Sequence, residues 1–148
     1  MAKQMTYPNP YDSANPYTES YWMLAEDPKL NRLNKTGQLL FYGYANQAAR
    51  DNLDAPIGQK VYPVVNTNSD EYMTETTPFD DYFDETVLKV LDKTNRSKAY
   101  DFADAYFDGD IKTGYTQEDD GTYTRDSDGE TVLVSEARKT FFDGATDV

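Results

Sequence analysis

The side chains able to do chemistry in this sequence are almost all carboxylates: 27 Asp and Glu stand against 14 Lys and Arg, with no Cys and no His. Without Cys there is no disulfide, no thiolate nucleophile and no cysteine-ligated zinc or iron–sulfur centre. Without His the commonest general base and transition-metal ligand are missing. What is left is carboxylate chemistry, Lys or Ser/Lys chemistry, and hard cations bound through oxygen. Asp80/Asp81 and Asp84/Glu85 are adjacent acids of the kind that share a proton, hold Mg²⁺ or serve a carboxylate-only hydrolase. Among so many acids their spacing singles out no pair, and a solvated acidic face accounts for them.

Asp126-Ser127-Asp128-Gly129-Glu130 clusters oxygens in a turn. With Gly129 at the glycine position of a calcium loop, the first ligand would be Thr124 and the closing acid would be Ser135, so the spacing fails. An acidic hairpin turn explains the same residues through the preference of Asp-Gly for positive φ. No Gly-x-Ser-x-Gly elbow, phosphate loop or nucleotide fingerprint is present. Asn34-Lys35-Thr36 and Asn95-Arg96-Ser97 match a glycosylation sequon but carry no weight without a secretion signal. The expectation is a protein with no catalytic residue, no metal ligand set and no cofactor.

The unusual resource is aromatic: 13 Tyr, 7 Phe and 1 Trp offset a low hydrophobic content of 38% and supply enough buriable surface for an ordered core. Tyr is also favoured at protein interfaces, because it covers a large area, loses little rotamer entropy and keeps a polar tip. Trp22, Phe41 and Tyr42 read as core. Tyr7, Tyr11 and Tyr17 are spaced by Pro8, Pro10 and Pro16 in a stretch that reads as an extended arm over residues 1–18, and they are the candidate partner contacts. The alternative for them is an end segment packed on its own domain.

The elements that would position these groups can be read from punctuation and period. Tyr21-Trp22-Met23-Leu24 reads as a short strand, followed by loop signals at Asp27-Pro28 and Thr36-Gly37. Residues 39–45 are apolar or aromatic on both faces and predict a central strand. Asn46 can cap a short helix over 47–52, and Ala55-Pro56 ends it before a strand over 57–65, which Pro63 assigns to an edge. The short connection between these strands favours antiparallel or non-adjacent placement. A polar stretch at 66–77 reads as a long loop.

Beyond it, Val87, Leu88, Val90 and Leu91 recur at helical spacing behind Asp84 and Glu85. A second helix presents Ala99, Phe102, Ala103 and Tyr106, with Asn95 or Ser97 as cap and Gly109 as terminator. Asp120-Gly121 and Asp128-Gly129 predict a two- or three-stranded meander over 114–134. Residues 137–144 read as a short helix or turn whose Phe141 and Phe142 dock on the core. The predicted fold is α+β: a small, mostly antiparallel sheet with two helices packed on it and a C-terminal hairpin or meander. The arm at 1–18 precedes one domain over 19–148, with the loop at 66–77 and the meander as an insertion at 114–134.

At 148 residues the chain fits one domain with a single core. No run approaches the roughly 18 apolar residues that cross a bilayer, and Met1-Ala2-Lys3-Gln4-Met5 lacks the apolar stretch of a signal peptide, so a soluble protein made in a cytoplasm is expected. The charge is uneven: residues 1–74 carry 8 acidic and 6 basic side chains, residues 75–148 carry 19 and 8, giving −2 against −11. Such a field repels phosphates and anionic lipid, which predicts no direct nucleic acid partner and no membrane. It suits a basic protein partner, as in an acidic inhibitor or DNA mimic that fills a basic groove of a host protein.

Three blocks carry a resemblance: Glu19 to Leu24; Leu40 to Asp51; and Ala55 to Val64. Their aromatic strand, Tyr-x-x-x-x-Ala-Arg turn and Pro-Ile-x-x-x-x-Tyr-x-Val strand resemble a group of small tailed-bacteriophage proteins encoded among structural genes. Phe79 to Phe83, Lys98 to Phe102 and the ending Lys139 to Asp147 look similar too. The resemblance implies a virion structural or accessory protein, of capsid, neck or tail, located in the particle and in contact with other virion proteins as part of an oligomeric assembly. It implies no enzymatic activity. The proline-tyrosine arm and the meander stand outside the common pattern.

Overall fold

The computed structural model describes residues 2–31, 33–65, 71–83 and 93–148. Its centre is made by three strands whose β-branched and aromatic residues suit a pleated surface: β2 (Tyr17–Leu24), β4 (Thr36–Tyr44) and β5 (Gly58–Val64). Phe41 and Tyr42 of β4 stand opposite Leu24 and Met23 of β2 on one side, and opposite Lys60 and Gln59 of β5 on the other. The strand expected to be central is therefore central, and β5 is an edge strand antiparallel to it, as Pro63 and the short connection implied. β3 (Lys29–Asn31) pairs with residues 36–38 of β4 and extends the edge that β2 occupies.

The sheet then continues where the sequence reading expected an arm. Residues 3–7 form β1 (Lys3–Tyr7), which lies between β2 and the two-residue β9 (Thr146–Asp147). The prolines do not prevent this, because Pro8, Pro10 and Pro16 all fall in the connecting loop, past the last paired residue of β1 and before Tyr17 opens β2.

Asn46 caps α1 (Gln47–Asp51) by accepting the Ala49 amide at 2.8 Å, as expected. The helix expected over 84–91, the acids Asp84 and Glu85, and residues 66–70 of the long loop lie outside the described residues. The rest of that loop is not a free linker, since Met73 is buried and the Phe107 amide donates to the Tyr72 carbonyl at 2.8 Å. α2 (Pro78–Tyr82) has Pro78 in its first turn, where a missing N–H costs nothing, and delivers Phe79 and the following Phe83 to the core. α3 (Lys93–Asp104) already contains Asn95 and Ser97, so neither caps it, and it ends at Asp104, before Gly109.

Among the described residues one main core lies on one face of the large sheet. Trp22, Phe41 and Tyr62 meet Tyr100, Phe102 and Tyr106 from α3 and the segment after it, and Phe142 from the C-terminal turn. The rings pack edge to face, with Phe41 5.2 Å from Tyr100 and 5.5 Å from Phe142, the arrangement their quadrupoles favour. The docking of Phe141 and Phe142 is as expected, although residues 141–144 form a turn and the nearby helix is α4 (Val134–Ala137).

The predicted meander is a separate three-stranded sheet, β6 (Tyr115–Gln117), β7 (Tyr123–Arg125) and β8 (Thr131–Val132). Gly121 and Gly129 supply the positive φ its two turns need. It packs on α4 around Tyr123, Val134 and Ala137, and a two-stranded ribbon at Gly109–Lys112 and Ala137–Lys139 joins it to the main body.

Candidate contact surface

Alternation along β2, β4 and β5 sends Trp22, Leu24, Leu39, Phe41 and Tyr62 to the core and the intervening residues to the opposite face. Cross-strand pairs build that second face in rows: Tyr21 beside Tyr44, Met23 beside Tyr42 beside Gln59, Leu40 beside Val61, and Lys29 beside Gln38 beside Pro63. Apart from Lys29 at one corner, paired with Glu26, none of these residues is charged, in a chain where 28% of residues are. Met23, Leu40, Tyr42 and Tyr44 are half-buried and belong to neither hydrophobic core cluster, while Val61 is 38% exposed.

α1 covers one end of this face. Arg50 places its guanidinium 5.3 Å from the centre of the Tyr21 ring, which is why Tyr21 alone of the row is buried. A cavity of about 290 Å³ opens where Tyr42 and Gln59 meet Pro56, Ile57 and Gly58. Leu53, at the tip of the loop leaving α1, is 91% exposed and held at φ 60°. A bulky residue in the left-handed region is uncommon and marks a loop whose shape is fixed by its surroundings; here the Leu53 and Asp54 amides donate to the Arg50 and Ala49 carbonyls.

The three candidate tyrosines have different fates. Tyr7 belongs to the core side, 5.0 Å from Trp22 and 6.4 Å from Phe141. Its place is made by two glycines facing each other across β4 and β5: a Cβ on Gly58 would lie 2.9 Å from the Tyr7 hydroxyl, and one on Gly43 would run into the Trp22 indole. Tyr17 is half-buried opposite Tyr7 in the β1–β2 ladder. Tyr11 is the most exposed of the three, at 94% in the loop between those strands.

The carboxylates with potential chemistry are mostly engaged. Asp80 pairs with Lys35 at 3.0 Å, and Asp81 accepts from Thr77. In the acidic turn, Asp126 accepts from Thr116, whereas Asp128 and Glu136 share Arg125. The backbone amide of Glu130 and Arg125 hold the Asp128 carboxyl below the usual carboxylate range, and Arg125 does the same for Glu136. Among the described residues no group of three or more His, Cys, Asp or Glu could hold a metal ion, and no helix is long and apolar enough to cross a membrane.

The most enclosed polar cluster lies on the core side of β5. Lys60 pairs with Asp108 while its ammonium sits 5.1 Å from the Tyr62 ring and 5.4 Å from the Phe141 ring. The Tyr62 hydroxyl and Asp108 Oδ1 are buried without a hydrogen-bond partner among the described residues. Burial, then the neighbouring Asp108 and Asp104, push the Tyr62 phenol far above its ordinary value. The phenol is therefore held neutral, and the Lys60–Asp108 pair ties the strand to the segment after α3.

Lys3 plays the same part on β1. Its ammonium binds Asp104 at 2.9 Å and Asp147 at 2.8 Å, joining α3 and β9 to the strand. Burial opposes its charge, but the bonds to Asp147 and Asp104 outweigh burial and raise its pKa.

The chain matches no protein-family model, no curated protein and no solved structure.

Proposed function

We propose that this chain is a structural or accessory protein of a tailed-bacteriophage virion, a component of capsid, neck or tail, that works by protein–protein contact rather than catalysis. The observation that supports the contact half of this reading is the face of the large sheet that is uncharged but for Lys29 at one corner, mostly apolar and aromatic, and left open among the described residues. Exposed apolar surface of this kind is costly in water at about 25 cal/mol per Å², and contiguous patches of it mark interaction sites. The virion half rests on the resemblance of the blocks at 19–24, 40–51 and 55–64, which contribute β2, β4, α1 and β5, the elements that build this face. Its partners are then other virion proteins, with no role for nucleic acid, membrane or cofactor.

The test is mass spectrometry of purified particles of the encoding phage, grown with the wild-type gene and with Tyr42→Asp. Tyr42 is half-buried on the open face and outside the core, so the variant folds. An unpaired carboxylate in an apolar contact costs several kcal/mol of binding. The wild-type chain is expected in the particle and the variant is expected to be lost from it. Particles without the wild-type chain would end the proposal.

A further inference from the structure

The open face runs to a strand edge, and the chemistry of that edge suggests what meets it. A residue's N–H and C=O point to the same side of a strand and alternate along it. Pro63 has no N–H to give the ladder, so its main-chain groups point away from β4. Those of Val61 and Gln59, two and four residues earlier, must do the same. Among the described residues no hydrogen bond reaches the main-chain groups of Gln59 or Val61 on this side.

Natural sheets guard such edges with charged side chains, bulges or prolines. Here the side chains on the open-face side of the edge are Gln59, Val61 and Pro63, none of them charged, while Lys60 turns to the core side and is held by Asp108. Pro63 lies one residue from the end of β5 and leaves the middle of the strand unguarded.

We infer that β5 pairs with β5 of a second copy of this chain, antiparallel, about a two-fold axis at Val61. In this register Val61 exchanges two hydrogen bonds with its counterpart. The Gln59 N–H of each copy donates to the Pro63 carbonyl of the other and forms the outermost bond at each end, while the absent proline N–H leaves the facing Gln59 carbonyl without a bond just inside it.

Charge selects the partner. Neutral side chains meet neutral ones across the axis, so no like charges are opposed at the seam, and the Gln amides both donate and accept. The two open faces become one continuous face. The inference rests on the contact reading above and adds the partner: a second copy comes first, and the enlarged face serves the rest of the assembly.

Each copy carries a net charge of −13, so pairing must strengthen with salt, whereas a basic partner would be released by it. Sedimentation velocity of the full chain across a concentration and salt series is expected to show a monomer–dimer equilibrium that shifts to dimer as salt rises. Val61→Lys places like charges on the axis and is expected to weaken dimerisation at least tenfold, with Trp22 fluorescence confirming the fold. Val61→Asp behaves the same alone, and an equal mixture of the two variants regains a dimer. That rescue requires residue 61 to face itself, which a merely damaged strand would not reproduce.

A wild-type chain that stays monomeric throughout overturns the inference, and so does a dimer indifferent to both substitutions or a mixture that fails to recover. If the chain is monomeric yet Tyr42→Asp still drops out of particles, the self-pairing is wrong and the contact reading survives.

Discussion

Gly43→Ala sets two physical effects against each other, and the structure decides the sign. Glycine in a strand interior is worth roughly 0.5–1 kcal/mol less than alanine, so propensity alone predicts stabilisation. Gly43 faces Trp22 across the β2–β4 ladder, and a Cβ built there meets three atoms of the indole, with Cδ2 at 2.7 Å. Ordinary carbon contacts sit near 3.5–4.0 Å, so the ring would have to retreat by about 1 Å or more.

It has nowhere to go. Trp22 is fully buried, with Phe141 at 4.9 Å, Tyr7 at 5.0 Å and Phe142 at 6.2 Å, and its Nε1 donates to the Ser20 hydroxyl at 3.1 Å. Overpacking costs about 1–3 kcal/mol, with the upper end apt for a ring fenced on this many sides. The net expectation is a loss of about 2 kcal/mol, a large share of the roughly 5–15 kcal/mol that holds a domain together. Urea denaturation followed by the fluorescence of the single Trp measures it. In a Trp22→Leu background, followed by circular dichroism, the same Gly43→Ala change should become neutral or stabilising, because the clash is gone. A Gly43→Ala protein at least as stable as the wild type would refute the packing argument.

Tyr7→Ala should cost about 2 kcal/mol through its lost contacts with Trp22 and Phe141, whereas Tyr11→Ala, on an exposed loop, should stay within about 0.5 kcal/mol in the same denaturation assay. Tyr62→Phe removes a buried hydroxyl with no partner among the described residues and should gain about 1 kcal/mol. Lys60→Met strands Asp108 and should lose about 2 kcal/mol, most of it recovered in Lys60→Met/Asp108→Leu. The pH dependence should be steepest on the alkaline side. Burial holds the Tyr62, Tyr82 and Tyr100 phenols above their ordinary value of 10.0 in the folded state. A raised folded pKa gives stability that is complete below the unfolded value and lost as pH climbs past it, so unfolding free energy should fall above pH 10. Tyrosinate absorbance should then rise together with loss of structure and not before it.

What the sequence revealed and what it hid follow from how local each signal is. β2, β4, β5, the Asn46 cap and the Asp-Gly meander were legible because their alternation, prolines and turn residues act within a few positions. β1 was hidden because its five residues carry no pattern of their own, and its partners lie at Tyr17–Trp22 and at Thr146–Asp147. β9, two residues long, has no local signature.

Tyr7 reads as a surface anchor in the sequence because the glycine that admits its hydroxyl, Gly58, stands 51 residues further along, and Gly43 opposite it makes room for the Trp22 ring on which Tyr7 packs. A glycine inside an aromatic strand was the available sign of a close approach. The open face was missed for the opposite reason. Leu40, Tyr42 and Tyr44 are as apolar as a buried row, so the strand read as covered on both sides, and composition cannot separate a face covered by its own chain from one that awaits a partner.

The claim that the largely uncharged sheet face is the working surface is tested most directly by hydroxyl-radical footprinting of the chain free in solution and in the assembled particle. Met23 and Tyr42 should lose most of their labelling on assembly, while Leu133, at 66% exposure between the small sheet and α4, should keep its own. Unchanged labelling of Met23 and Tyr42, with protection confined to the acidic small sheet, would contradict the account.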